Sequence, residues 1–404
     1  MQNVRQYIFN NWPNTFRDPK HARGKYTMPK PFVSPSSSGA YQNFFYWDTY
    51  FANLGLMVDG YLEQVENNLD NMAYFIDVLG YMPNANVILD RSQPPLFCRA
   101  VYDFYSLNKD TEILKKYLPY LLKEYEFWQT QRMTPYGVNN FSTNGDEANQ
   151  MMHYDVLHER VCEVGYTKEE RLKIAKDIMI IAESGLDFNM RFKTERSKID
   201  ASSFLHLDLN CLLYDMEKTL AKILTILGED GSKFNDYAQK RKALIERYFY
   251  DKTQNIYLDY NFVDEKFSDI VSIVSLYPYA FGISDDVDGL KKVLNGLEFD
   301  YGLSTTPYRD DTVYYQWDYP CMWAPTLYFA LLALERLGLH EDWKRIAEKY
   351  LRNIEDNFQK TGQLWEKYDA VNGGIGQCTE YDTPEMMGWT AGVYVYCCEK
   401  LKNT

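Results

Sequence analysis

Four short segments set an aromatic ring beside a carboxylate: Phe44-Phe45-Tyr46-Trp47-Asp48, Gln316-Trp317-Asp318-Tyr319-Pro320, Trp365-Glu366-Lys367-Tyr368-Asp369 and Glu380-Tyr381-Asp382. An indole or phenol offers a flat apolar platform to the face of a sugar ring, and the carboxylate accepts hydrogen bonds from its hydroxyls. The same apolar neighbours can desolvate a carboxyl and hold it protonated, as a catalytic acid requires. Each segment alone also reads as core aromatics next to a helix-capping acid. The four together, all lying between helical runs, point to a carbohydrate site carried on loops.

Such loops need a helical frame. Thr167-Lys168-Glu169-Glu170 is a capping box, and Leu172, Ile174, Ala175, Ile178, Met179 and Ala182 recur at helical spacing until Ser184-Gly185 ends the run. From Glu341 to Phe358, acids open the first turn and Trp343, Ile346, Ala347, Tyr350, Leu351, Ile354 and Phe358 form one apolar stripe. Fainter patterns at 48–59, 64–79, 95–106, 111–131, 153–163, 204–228, 232–250, 267–280, 286–297, 322–337 and 384–401 bring the total to about a dozen. β-like stretches such as Asn255–Tyr260 and Leu364–Tyr368 are too short and scattered for a sheet, so the expected fold class is all-α. Residues 1–40, punctuated by Pro13, Pro19, Pro29, Pro31, Pro35 and Ser36-Ser37-Ser38-Gly39, read as an irregular N-terminal arm. No linker divides residues 41–404, which read as one domain. About 34 residues per helix and loop suits a ring of six helical hairpins, with an open solenoid as the other arrangement.

Composition narrows the function. The 404 residues are 46% hydrophobic and 25% charged, which excludes disordered and low-complexity architectures. Apolar runs such as Tyr328 to Leu334 are far shorter than the roughly 20 residues that span a bilayer, and the opening MQNVRQYIFNNWPN holds no apolar leader. No membrane partner and a cytoplasmic location are expected. A net charge of −14 repels a phosphate backbone, so nucleic acid is not an expected partner. Seven cysteines without a C-x-x-C suggest neither a disulfide framework nor a zinc knuckle. His153, His158 and Glu159 do not form H-E-x-x-H, and Ser284 to Gly289 starts like a calcium loop but puts Asn295 where the closing Glu belongs. That stretch reads as a helix N-cap, and neither metal nor cofactor is expected. An aromatic content of 16% permits a carbohydrate protein without demanding one.

The strings themselves carry a resemblance. Gln316-Trp-Asp-Tyr-Pro-Cys-Met-Trp-Ala-Pro325 resembles the QWDYPNGWAP signature of the trehalases, the inverting glycoside hydrolases of family 37, and Tyr46-Trp-Asp-Thr-Tyr-Phe51 resembles their YYWDSYF. Pro83 to Asn86 followed by Arg91-Ser-Gln-Pro-Pro95, Glu183-Ser-Gly-Leu-Asp-Phe188, and Glu366-Lys-Tyr-Asp369 leading to Glu380-Tyr381 follow in the family's order. The resemblance implies an (α/α)6 barrel and a metal-free inverting hydrolase acting on trehalose or a closely related small α-glucoside. It places the general acid on Asp187 and the general base on Glu366, the two carboxyls an inverting enzyme holds roughly 6.5 to 9.5 Å apart. It places sugar contacts on Trp47, Asp48, Asn84, Arg91, Ser92, Gln93, Gly185 and Glu380, draws in Trp317 and Asp318 of the signature, and makes Asn372 to Gly376 a lid loop.

Departures from the pattern concern substrate. Where the family has an Arg seven positions before Trp47, this chain has Ala40; where it has Arg-Pro-Glu, Asn144-Gly-Asp-Glu-Ala148 offers Glu147 and no Arg; and Leu186 replaces a Trp. Each lost charged hydrogen bond is worth about 1.5 to 3 kcal/mol, enough to change which disaccharide is preferred. The substrate is thus trehalose or another small α-glycoside, such as a glucosylglycerate or a different diglucoside. A catalytically silent sugar-binding homologue and a lyase are the other readings, and the pair Asp187 and Glu366 speaks against both.

Overall fold

Several helices start where a side chain satisfies an open amide of the first turn. Thr167 Oγ1 accepts from the Glu170 amide at 3.2 Å while the Glu170 carboxylate accepts from the Thr167 amide at 3.0 Å, the reciprocal cap read in the sequence. Asp286 accepts from the amides of Asp288 and Gly289, so the calcium-like stretch is indeed an N-cap. The computed structural model describes residues 3–39, 41–310, 314–376 and 385–402. Their helices, in order, are α1 (Val4–Asn11), α2 (Tyr46–Val58), α3 (Leu62–Leu79), α4 (Phe97–Asn108) and α5 (Thr111–Gln131). There follow α6 (Glu147–Leu157), α7 (Lys168–Glu183), α8 (Leu207–Ile226), α9 (Ser232–Phe249) and α10 (Tyr277–Ala280). The chain closes with α11 (Val287–Leu297), α12 (Ala324–Arg336), α13 (His340–Thr361) and α14 (Gly388–Lys402). Strands are two or three residues long, and the pair that matters for the site joins Cys321–Trp323 antiparallel to Lys367–Asp369.

Helices α2, α4, α8, α10, α12 and α14 touch one another in turn, and α14 returns to α2, so the inner helices close into a ring. That closure is tight because two glycines make it. A Cβ on Gly392 would meet Phe51 O at 1.9 Å, and one on Gly55 would reach Gly392 Cα at 2.9 Å. An open solenoid is thereby excluded, and the all-α expectation of an (α/α)6 barrel holds. Outside the ring, α3 packs on α2 and α4, α5 on α4, α9 on α8, and α13 on α12 and α14; α6 and α7 pack on each other. Buried apolar residues from Val4 to Cys397 form one continuous cluster.

Three boundaries differ from the sequence reading. The N-terminal arm begins with α1, because Asn3 caps it and the prolines that break structure start only at Pro13. Trp12, just after α1, packs against Gly55, where a Cβ would meet its Cζ2 at 2.7 Å. The pattern at 153–163 is α6, moved towards the N-terminus by the Asp146 cap. That at 267–280 yields only a short 3-10 turn, Ile273–Leu276, and α10.

Candidate active site

At one mouth of the ring lies a cavity of about 190 Å3, lined by Trp47, Asp48, Asn84, Arg91, Gln93, Gly185, Asp187, Trp317 and Glu366. Trp323, Trp389, Phe45 and Tyr41 extend its aromatic wall, and Gln316 also borders it. Trp317 and Trp323 stack at 3.8 Å between ring centroids, and Trp47 lies tilted against Trp317 at 5.8 Å. A larger groove of about 640 Å3, which includes the ion pair of Glu217 and Arg241, carries none of the aromatic–carboxylate segments.

The first turn of α2 delivers Trp47 and Asp48. Its open amides are met by the loop at 84–93: Tyr46 N donates to Asn84 O at 3.0 Å and Trp47 N to Gln93 Oε1 at 3.2 Å. Glu183, fully buried at the end of α7, fixes the same loop by accepting from Ser92 N at 2.8 Å, and its charge is met by Arg132 at 2.7 Å. Asp187 follows the end of α7 by way of Gly185, whose φ of +79° turns the chain towards the cavity. The signature segment then holds the turn in place. Gln316 Nε2 donates to Asp187 O at 2.5 Å, Trp317 N to Phe188 O at 3.0 Å, and Asp318 Oδ1 accepts from Met190 N at 3.1 Å. Glu366 stands just before the strand Lys367–Asp369, and its carbonyl accepts from Trp389 Nε1 at 2.9 Å.

Electrostatics separate the three cavity carboxyls. Burial pushes Asp48 up to about 8, the charges of Glu366 and Asp187 add to the rise, and a hydrogen bond to its own backbone opposes it. At pH 7 Asp48 is therefore neutral and able to donate. Asp187 has a side chain 39% exposed and Arg160 Nη2 at 3.9 Å, whereas Glu366 is 2% exposed with Lys367 Nζ at 3.6 Å. One carboxyl reaches solvent and the other lies on the cavity floor.

The trehalase family model matches residues 2–402. The chain belongs to the trehalase family. It is 31% identical to the periplasmic trehalase of Xanthomonas axonopodis pv. citri (strain 306), over 96% of this chain and 72% of that protein. The neutral trehalase of Saccharomyces cerevisiae shares the fold with a TM-score of 0.76 at 20% identity, covering 99% of this chain and 80% of that one. A mannosylglycerate hydrolase from Thermus thermophilus shares it with a TM-score of 0.68 at 15% identity, covering 97% and 99%. As a trehalase-family member the chain is a glycoside hydrolase. The bacterial relatives are named as periplasmic, which lends no support to the cytoplasmic expectation. Among the described residues no helix is long and apolar enough to cross a membrane.

Against this trehalase frame, most of the residues read from the sequence converge on the cavity and three do not. Glu147 opens α6 on the surface, 59% exposed, and pairs with Lys168, because Asp146 takes the cap and turns its neighbour outward. Ser92 is buried below the cavity, its Oγ donating to Met82 O at 2.6 Å. Asp318 lies beneath the Asp187 turn as an acceptor for Met190 and Tyr315 amides. Glu380 lies outside the described residues, as does Ala40. Sequence reasoning missed Arg160, which packs over the Phe188 ring at 4.8 Å, because no local pattern marks it. It also passed over Gln316 and Lys367 as partners, although both stand inside strings it had singled out.

Proposed function

We propose that this chain hydrolyses trehalose, or a closely related small α-glucoside, with inversion, Asp187 acting as general acid and Glu366 as general base. The observation that carries the reading is the single cavity onto which both carboxyls open, walled by Trp47, Trp317, Trp323 and Trp389. Its 190 Å3 is below the roughly 300–1,000 Å3 of sites for drug-sized ligands, which supports a small glycoside over an oligosaccharide. Family membership and the relatives named trehalase support trehalose itself.

The chemistry follows from exposure. Glu366, on the floor, takes a proton from water as the water oxygen bonds to the anomeric carbon. The bond from that carbon to the bridging oxygen breaks, and Asp187 gives its proton to the departing oxygen. Being 39% exposed, Asp187 regains a proton from solvent, and the leaving sugar departs past it. Neutral Asp48 donates to a hydroxyl of the retained sugar. Arg91, whose Nε has no hydrogen-bond partner among the described residues, offers a second donor.

A second reading, in which the leaving group is another small molecule such as glycerate, draws on residues 142–150. They carry no arginine, and Asn144 and Asn149 are tied to Asp90. Proton NMR of glucose released from trehalose and from glucosylglycerate tests both readings. Release from trehalose of β-glucose beside an equal amount of the α-glucose that leaves on the bridging oxygen, lost in Glu366→Gln, is the expected result; α-glucose alone, or no release from either substrate, overturns the proposal.

A further inference from the structure

The Gln316 side chain is engaged at both ends within the site. Its Nε2 donates to Asp187 O at 2.5 Å, and its Oε1 accepts from Lys367 Nζ at 2.8 Å. Lys367 Nζ lies in turn 3.6 Å from Glu366 Oε2, with the Lys367 side chain wholly buried. A buried ammonium is tolerated only where acceptors and a counter-charge surround it. Among the described residues they include Gln316, Glu366 and the face of Trp323, whose ring centroid is 4.9 Å away.

The backbone fixes the same three residues. Trp323 Nε1 donates to Gln316 O at 2.8 Å, and Trp323 stands opposite Lys367 in the antiparallel pair. One continuous path therefore runs from the peptide of Asp187 through the Gln316 amide and the Lys367 ammonium to the carboxylate of Glu366. Asp187 and Glu366 come from sites 179 residues apart in the chain, and a displacement of about 1 Å costs on the order of 100-fold in rate.

We infer that Gln316 and Lys367 are positioning residues, a two-membered bridge that sets the separation and aim of the acid and the base. The inference rests on the roles proposed above for Asp187 and Glu366. Gln316 borders the cavity with both ends of its amide engaged, whereas Lys367 does not line it and acts through Glu366 and not on the sugar.

The test is a double-mutant cycle on kcat and KM for trehalose with Gln316→Met, Lys367→Met and the pair. Each single variant is expected to lower kcat about 10- to 100-fold with KM within about threefold, and the double variant to be no slower than the slower single. Gln316→Glu, which keeps the size and the acceptor for Lys367 but removes the donor to Asp187, is expected to lower kcat by a similar factor. It supplies the answer should Lys367→Met fail to fold. Multiplying losses in the double variant, losses confined to KM, or a wild-type kcat in Gln316→Glu would each overturn the bridge. Glu366→Gln, run alongside, separates the two ideas: its remaining active would undo the proposed mechanism, whereas its inactivity with a multiplicative cycle would undo the bridge alone.

Discussion

The indole of Trp47 lies so close over Gly185 that a Cβ at position 185 would meet Trp47 Cζ2 at 2.8 Å. Gly185 also has φ +79°, a region costing other residues roughly 1–2 kcal/mol. The glycine thus serves the Asp187 turn and the sugar platform together. Gly185→Ala is expected to lower unfolding free energy by about 1–3 kcal/mol in urea titration and kcat/KM by tenfold or more. Wild-type values for both would show that Trp47 has room to move.

Asp187 and Glu366 should be separable by leaving group. Losing a general acid or base costs about 10²–10⁴-fold, but an acid matters little when the leaving group is fluoride, which departs without a proton. Asp187→Asn is expected to lose trehalose turnover by that factor and to keep most of its activity on α-glucosyl fluoride. Glu366→Gln is expected to lose both. Equal losses in both variants would reject the assignment of roles.

Asp48 yields two predictions of opposite sense. Its carboxyl, held at about 8 by burial first and by the Glu366 and Asp187 charges next, becomes a further anion beside Glu366 in the cavity as pH rises past 8. The kcat/KM profile should therefore fall above about pH 8, and Asp48→Asn should lose that limb. Because the folded state holds this proton and the unfolded chain releases it near 3.8, the group's contribution to stability is fully present below about 4 and lost as pH rises towards 8. Asp48→Asn is expected to be less active yet more stable than wild type at pH 8 by about 1 kcal/mol or more, with no difference at pH 3.5. Thermal melts at the two pH values decide it.

The ring was legible in the sequence because its signals are local, and most of the cavity because its strings resemble those of the trehalase family. Caps such as Thr167 and Asp286 and stripes such as that of α13 fix helices within a few turns. The strings around Trp47, Asp187, Trp317 and Glu366 take their partners from one another and from residues 84–93 and Trp389. Asp318 was misplaced because an acid beside an aromatic looks the same whether it faces a sugar or, as here, the amide of Met190. Glu147 was misplaced by position in a string, with the neighbouring cap deciding its direction. Arg160 and the Gln316–Lys367 contact depend on residues 27 and 51 positions apart meeting in space, which no local pattern encodes.

Arg91 offers a last test, of how its guanidinium is aimed. Asp90 Oδ1 accepts from Arg91 Nη1 at 2.7 Å, while its Oδ2 accepts from Asn149 Nδ2 at 3.1 Å and lies 2.8 Å from His153 Nε2. Burial works against the Asp90 anion, but the His153 hydrogen bond, the Arg91 charge and the Asn149 amide outweigh it and hold the carboxyl down to about 2. Helix α6, none of whose residues lines the cavity, thereby steadies Arg91 from behind. Asp90→Asn leaves the guanidinium without its counter-charge and should raise KM for trehalose about tenfold, the equivalent of one charged hydrogen bond, with kcat within about threefold. A group with a depressed value stabilises the fold above its unfolded value near 3.8 and loses that contribution as pH falls towards 2. The variant should accordingly be about 1–2 kcal/mol less stable at pH 7 and no less stable at pH 2. A fall in kcat with KM unchanged would instead assign Asp90 to the chemistry and not to the grip on the sugar.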